Sequence, residues 1–339
     1  MSQAVTVYRW DDPGAPQLTN GKPSELIDIL NKCLVTGYGS KSPLGWTMPF
    51  YEPATQSVIF RNNPAVGGSG GYVKLYSNTA ADANNTPMRL TYAQTVSDIN
   101  TFFGQGNVQS VWLGTNMTRW VIIGTTIGFY LTIDQSTPTL KMTGPSNFGT
   151  AAYIGDFYSS IPSDAGRFIA FSSFWNATFS SSASEDSLYY MRAANDSLVR
   201  TPFKIYDADG FNGSRDYTLN ILYPGNTGGI TNSVVLSEPT SNEILMPAFF
   251  WITNMAITST AVDRSNVSVR DSTLSPTIRG TLPGYGYSLK VGYQNTTWPF
   301  TKSINGNLHW LLRSFIQGGY TSAGAFINME QWNDPFGNI

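Results

Sequence analysis

The sequence predicts a mainly β protein, made of antiparallel β-sandwich or barrel-like lobes with one or two short helices near the N-terminus. Three observations predict it. Short runs rich in β-branched and aromatic residues recur along the chain, each closed off by Gly, Pro, Asn or Ser. Only one stretch carries a sustained helical spacing of apolar residues. Strands also fail to alternate with helices, as a parallel sheet with crossover helices requires.

The first element is that helix, expected over 23–36. Asn20-Gly21-Lys22 leads into Pro23, and Leu26, Ile29, Leu30, Cys33 and Leu34 then recur at helical spacing. Pro23 suits a first turn and Gly37 a left-handed stop. The stretch CLVTGYGSKSPLGW, Cys33 to Trp46, is therefore a helix end plus the loop that leaves it. TQSVIFRNN (55–63) and GYVKLYSN (71–78) flank PAVGGSG and read as a hairpin. A second short helix is expected from Ala93 to Phe103, with Tyr92, Val96, Ile99, Phe102 and Phe103 on one side and Gly104 after it.

SVWLGT (110–115), RWVIIG (119–124) and GFYLTID (128–134) then form a meander. Between Asp134 and Gly149 periodicity fades among prolines, glycines and polar residues, so a lobe boundary is expected near Pro145. This divides an N-terminal α+β lobe, 1–145, from a C-terminal sandwich-like lobe, 146–339. In the second lobe RFIAFSSFW, SLYYMRAA, PFKIYDADG, YTLNILYPG, VVLSEP, ILMPAFFWI, PTIRGTLPG and YSLKVGY are strand-like, with short turns between them. No fixed-period repeat is present.

Composition narrows the function. Only 12% of residues are charged, against roughly 25% in an ordinary domain, and Asn, Ser, Thr and Gly supply the polarity. Amides and hydroxyls lose less hydration than ions when a contact covers them, which suits a component of an assembly. The net charge is −2 and the 20 Lys and Arg residues are scattered, so no nucleic-acid partner is expected. Cys33 is the only cysteine; it is expected in the core, and neither an intramolecular disulfide nor a Cys-based zinc site can be built. The start MSQAVTVYRWDDPG lacks a signal-peptide pattern, and runs such as WVIIG and AFFWI are too short to span a bilayer. A soluble chain made in the cytoplasm is expected, without membrane insertion. The Asn-x-Ser/Thr triplets at Asn84, Asn116, Asn176, Asn195, Asn212, Asn266 and Asn295 then reflect abundance of these residues more than glycosylation.

A search for chemistry nominates no catalytic, cofactor-binding or metal-binding residue. His309, the only histidine, reads as a packed imidazole beside Trp310. Asp207, Asp209, Asn212 and Asp216 look like a calcium loop but fail its template, because Phe211 and Asn212 occupy the fifth and sixth positions. A hairpin turn at ADG is the better reading. The neighbours Asp11-Asp12 and Glu185-Asp186 do not converge as a glycosidase pair must. Gly67 to Gly71 lies between strands and lacks the lysine of a phosphate loop. Trp112, Trp120, Trp175, Trp251, Trp298, Trp310 and Trp332 could stack on sugars, but their strand context favours the core.

Five segments, in order, carry a resemblance: LIDILNKCLVTGYGSKSPLGW, SVIFRNN, WVIIG with GFYLTID, YIGDFYSSIPSDA (153–165) and IRGTLPGYGYSL (278–289). Together they resemble a family of virion structural proteins encoded by tailed bacteriophages, over most of the chain. The resemblance implies a non-enzymatic particle component with no catalytic residues to carry over, located in the virion. It is expected to bind capsid, neck or tail proteins and to form symmetric homo-oligomers. A head-surface decoration or spike is preferred, since no coiled coil or repetitive stem of a fibre is present. The alternative is a tail adaptor or a receptor- or glycan-binding protein; an enzyme such as a polysaccharide depolymerase would need convergent carboxylates. On this reading GYGSKSPLGW is a rigid connection: Gly37 and Gly39 permit unusual backbone angles, Pro43 restricts the path and Trp46 anchors the loop.

Overall fold

The computed structural model describes residues 2–136, 150–173, 203–210, 214–221, 243–252, 278–291, 296–312 and 323–338. Among the described residues strand takes up 48% and helix 8%, so the protein is mainly β, with multiple antiparallel sheets and one short helix near the N-terminus. The expected strands SLYYMRAA and VVLSEP, and the boundary residue Pro145, lie outside the described residues.

Strands β1 (Ser2–Ala4) and β2 (Thr6–Arg9) precede helix α1 (Pro23–Asn31), which runs on into a π-helical turn, Lys32–Thr36. There follow β3 (Thr47–Glu52), β4 (Ser57–Arg61), β5 (Tyr72–Ser77), β6 (Met88–Ala93), β7 (Thr95–Asp98), β8 (Thr101–Phe103), β9 (Gln109–Val111), β10 (Arg119–Gly124) and β11 (Gly128–Asp134). Next come β12 (Thr150–Asp156), β13 (Tyr158–Ser159), β14 (Phe168–Ser173), β15 (Phe203–Tyr206), β16 (Ser214–Ile221), β17 (Leu245–Met246) and β18 (Ala248–Ile252). The last are β19 (Ile278–Thr281), β20 (Tyr285–Val291), β21 (Thr301–Ile304), β22 (Asn307–Leu311), β23 (Ala323–Asn328) and β24 (Gln331–Asn333).

The helix forms where its spacing predicts, and Leu26, Ile29, Leu30, Cys33 and Leu34 are all fully buried. Each of the leucines and the isoleucine contributes about 1.5–3 kcal/mol relative to exposure. Its start is capped from a distance. Lys22 stands at the N-cap but its ammonium only donates, so it cannot accept from the first-turn amides. Asp82 accepts instead, from Ser24 N at 2.9 Å and Ser24 Oγ at 2.7 Å, while the Glu25 carboxylate reaches back to Lys22 N at 3.1 Å.

The expected second helix is corrected: 95–103 is a hairpin, β7 against β8. Asp98 Oδ1 accepts from Asn100 N at 2.8 Å and closes the turn, a local bond that competes with helix. Val96, Ile99 and Phe102 still share one side, but they cover Ile59 and Ala93 on the outer face of a sheet. Their shared side is a hairpin face, not a helix face.

The molecule is organised around the sheet β14-β12-β11-β10-β2. Every residue of β11 and β12 is buried, so both faces of the sheet are covered. Phe129 meets Trp46 at 5.3 Å between ring centroids on one face, and the next residue, Tyr130, meets Trp332 at 5.5 Å on the other. The first face carries the sheet β3-β4-β5-β6-β9 and the α1 region; the second faces β13-β19-β18-β16-β15 and β17-β20-β23-β22-β21 through contacts such as Phe171–Phe250. Two-residue alternation on the central strands thus serves two cores at once.

The expected boundary near Pro145 therefore does not part the sheets. β11 and β12, on either side of it, pair from Gly128↔Gly155 to Ile133↔Thr150, and one hydrophobic cluster runs from Tyr8 to Trp332. The chain ends are also joined, since β1 pairs with β24.

The loop after the helix is tied down at each step. Gly37 and Gly39 take positive φ, 82° and 53°, and a Cβ on Gly39 would lie 2.5 Å from Pro13 O. Leu44 N and Trp46 N donate to Cys33 O and Leu34 O, both at 2.9 Å, so the loop itself satisfies carbonyls at the helix end. Tyr8 Oη donates to Ser42 O at 2.5 Å, and Lys41 Nζ to Val7 O at 2.8 Å.

Candidate functional site

His309 lies in β22 and is 6% exposed. Its Nδ1–H donates to Asn307 O at 2.9 Å, since a carbonyl can only accept, and its ring stands edge-on to Phe326. Burial pushes its pKa below the ordinary value, with the Asn307 carbonyl, Glu330 and Glu243 opposing. It is a packed imidazole, as its context implied.

Asp207 and Asp209 sit in the turn between β15 and β16, where Gly210 N donates to Asp207 O at 3.1 Å; Asp207 is buried and Asp209 exposed. Asn212 lies outside the described residues, and Asp216 is a strand residue paired with Lys204. The neighbours Asp11 and Asp12 take different partners. Asp11 meets the Arg9 guanidinium at 2.7 Å, whereas Asp12 accepts from Tyr38 Oη at 2.8 Å and Arg9 N at 2.9 Å. Glu185, Asp186 and Trp175 lie outside the described residues. Among the described residues no group of three or more His, Cys, Asp or Glu side chains is placed to hold a metal ion.

The glycine-rich segment Gly67–Gly71 is latched to a buried carboxylate. Asp156 is fully buried and accepts from Ser69 N at 2.7 Å, Ser69 Oγ at 2.5 Å and Arg167 Nε at 3.3 Å. Asn62 accepts from Gly70 N at 2.7 Å and donates to Ile127 O at 3.2 Å. Desolvation raises the Asp156 pKa against the pull of Arg167 and Ser69.

Two of the segments singled out in the sequence meet. Arg279, from IRGTLPG, donates through Nε to Asp164 Oδ2 at 2.7 Å and through Nη2 to Asp164 Oδ1 at 2.8 Å; Asp164 comes from SSIPSDA. Both side chains are fully buried, and Arg279 Nη2 also reaches Tyr206 O at 2.8 Å. Asp164 further accepts from Ser159 Oγ at 2.6 Å and Gly166 N at 2.8 Å. A bidentate pair with its remaining lone pairs occupied is a structural rivet, holding β19, the turn after β13 and the end of β15 together.

Of the tryptophans, Trp120, Trp298, Trp310 and Trp332 are buried, while Trp112 and Trp251 are half-buried. Trp298 and Trp310 belong to a cluster that the strand pattern alone did not single out. Trp10, at the end of β2, stacks on Trp298 with centroids 5.8 Å apart and planes 16° apart, and Trp298 meets Trp310 edge-on at 5.9 Å. The guanidinium of Arg119 lies 5.4 Å from the Trp10 ring and 5.6 Å from the Trp298 ring; that of Arg9 lies 5.1 Å from Trp10 and 5.6 Å from Trp310. Arg9 pairs with Val121, two residues along β10 from Arg119, so both arginines leave the same face of the sheet. The visible signal was the Arg-Trp dipeptide, present at residues 9–10 and again at 119–120.

Arg119 differs from its counterparts. Arg9, Arg61, Arg89, Arg167 and Arg279 each donate to protein acceptors. Among the described residues, Arg119 has only the two indole rings against its guanidinium. Its side chain is half-buried, as is Trp10. Among the described residues it is a half-buried, positioned cation with unused donors, which can hold an oxyanion.

No protein-family model matches the chain, and no curated protein matches it.

Proposed function

We propose that the protein is a non-enzymatic structural component of a tailed-phage particle, placed on the head surface as a decoration or spike bound to capsid or neck proteins. The observation that carries this reading is how the distinctive segments are used. SSIPSDA and IRGTLPG meet in the buried Asp164–Arg279 pair, and CLVTGYGSKSPLGW closes the helix end and anchors Trp46 against Phe129. Residues that mark the sequence are consumed in holding sheets together, as expected where selection acts on shape. The sparse charge supports covered surfaces as well, since neutral amides and hydroxyls are easily desolvated at contacts.

The test is to locate the chain in the intact particle by high-resolution imaging and count its copies. Symmetric positions on the capsid lattice or neck are expected. A place at the tail tip with one side free in solvent would replace the head assignment with host recognition, and absence from purified particles would end the virion reading.

A further inference from the structure

We propose that Arg119 is a carboxylate-recognition point that takes an acidic side chain of a neighbouring protein chain. The guanidinium is held in place before any ligand arrives. Trp10 and Trp298 both lie within 6 Å of it, and Trp298 is 1% exposed and backed by Trp310, so the platform on which the cation rests is rigid. A planar guanidinium resting on aromatic faces keeps its edge donors directed away from the rings, in the fork geometry that matches a carboxylate. Little rotamer entropy is then lost on binding.

Among the described residues, the neighbouring acids leave those donors unused. Asp11 is taken by Arg9 at 2.7 Å. Asp134 stands directly across from Arg119 on β11 but is 1% exposed and makes no ion pair with it. Arg9, on the same face, is matched by the Asp11 carboxylate, which leaves Arg119 as the cation there without one among the described residues.

The kind of partner follows from what the rings already touch. Trp10 is engaged by Trp298 and by two guanidiniums, and Trp298 by Trp10, Arg119 and Trp310, so the indoles are occupied as platforms for a sugar ring. What the site presents is an arginine framed by tryptophans, the residue types that dominate binding energy at protein interfaces. That the carboxylate belongs to a protein rests on the virion reading above; that Arg119 binds a carboxylate does not.

The test is a titration of the full-length chain with N-acetyl-glutamate amide at constant ionic strength, followed by tryptophan emission and by the Arg119 side-chain NMR signal. A saturable response is expected. It should weaken about tenfold or more in Arg119→Gln and fall between the two in Arg119→Lys, which keeps the charge but not the fork. Thermal unfolding of each variant verifies that it is folded. A response equal in Arg119→Gln, matched by chloride, or absent from the folded natural chain overturns the carboxylate site. Tighter binding of glucuronate than of N-acetyl-glutamate amide overturns the protein partner and assigns the site to an acidic glycan. None of these outcomes depends on where the chain sits in a particle, so failure here is separable from failure of the virion reading.

Discussion

Arg279 grips both oxygens of Asp164, 115 residues earlier in the chain, and neither side chain reaches solvent. Removing one partner strands a buried charge, which is the costly way to break such a pair. Arg279→Met is therefore expected to destabilise by about 3–5 kcal/mol, read from the urea midpoint at unchanged slope. The double variant with Asp164→Leu should cost less than the sum of the two single changes, because each single change leaves the other charge unpaired. Strict additivity would show that the pair is not coupled.

Asp82 does the work that Lys22 at the N-cap cannot. Asp82→Ala should cost about 1 kcal/mol, the usual loss on removing a cap, and Asp82→Asn should retain most of it. Hydrogen exchange at Ser24 should accelerate in the alanine variant, while exchange in the distant β22 should not.

Gly155 faces Gly128 across β11 and β12 at φ +141°, and a Cβ there would lie 2.2 Å from Gly128 Cα. Both the backbone angle and the space exclude a side chain. Gly155→Ala is expected to cost about 2–4 kcal/mol, seen as a lowered thermal midpoint; a change below the error of the measurement would mean the strands can part there.

The single histidine makes pH dependence readable. His309 has a folded pKa below its ordinary 6.5, because burial penalises the charged ring. Its contribution to stability is then fully present above the unfolded value and is lost as pH falls through the lower, folded one. The stability difference between the natural chain and His309→Gln should be flat above about pH 7 and shrink in acid. Its imidazole NMR signal, alone in the spectrum, should titrate below the value of a free imidazole. Titration at or above that value would contradict the burial.

Sequence reasoning reached what local pattern controls. Leu26, Ile29, Leu30 and Cys33 declare a helix because their spacing is the period of one, and RWVIIG and GFYLTID declare strands in the same way. The region 93–103 misled because Val96, Ile99 and Phe102 satisfy helical spacing while facing one side of a hairpin; the decisive term was the Asp98–Asn100 turn and the sheet beneath it. The pairing of strands on either side of the expected lobe boundary was hidden for a related reason. Loss of periodicity after Asp134 marks a connection, but whether the strands beyond it rejoin the same sheet depends on pairing such as Tyr130↔Tyr153, which composition does not encode. The Arg119 site was hidden further still, since Trp10, Arg119 and Trp298 come from three parts of the chain and meet only when β2, β10 and the segment before β21 are assembled.

The pairing of Ser2–Ala4 with Gln331–Asn333 has a temporal meaning. A ribosome releases the first of these strands some three hundred residues before its partner, a delay of about 15–60 s at bacterial and eukaryotic rates of roughly 5–20 residues per second. Throughout that interval the earlier strand has no mate, and the clasp between the two can close only once every sheet encoded between them has emerged.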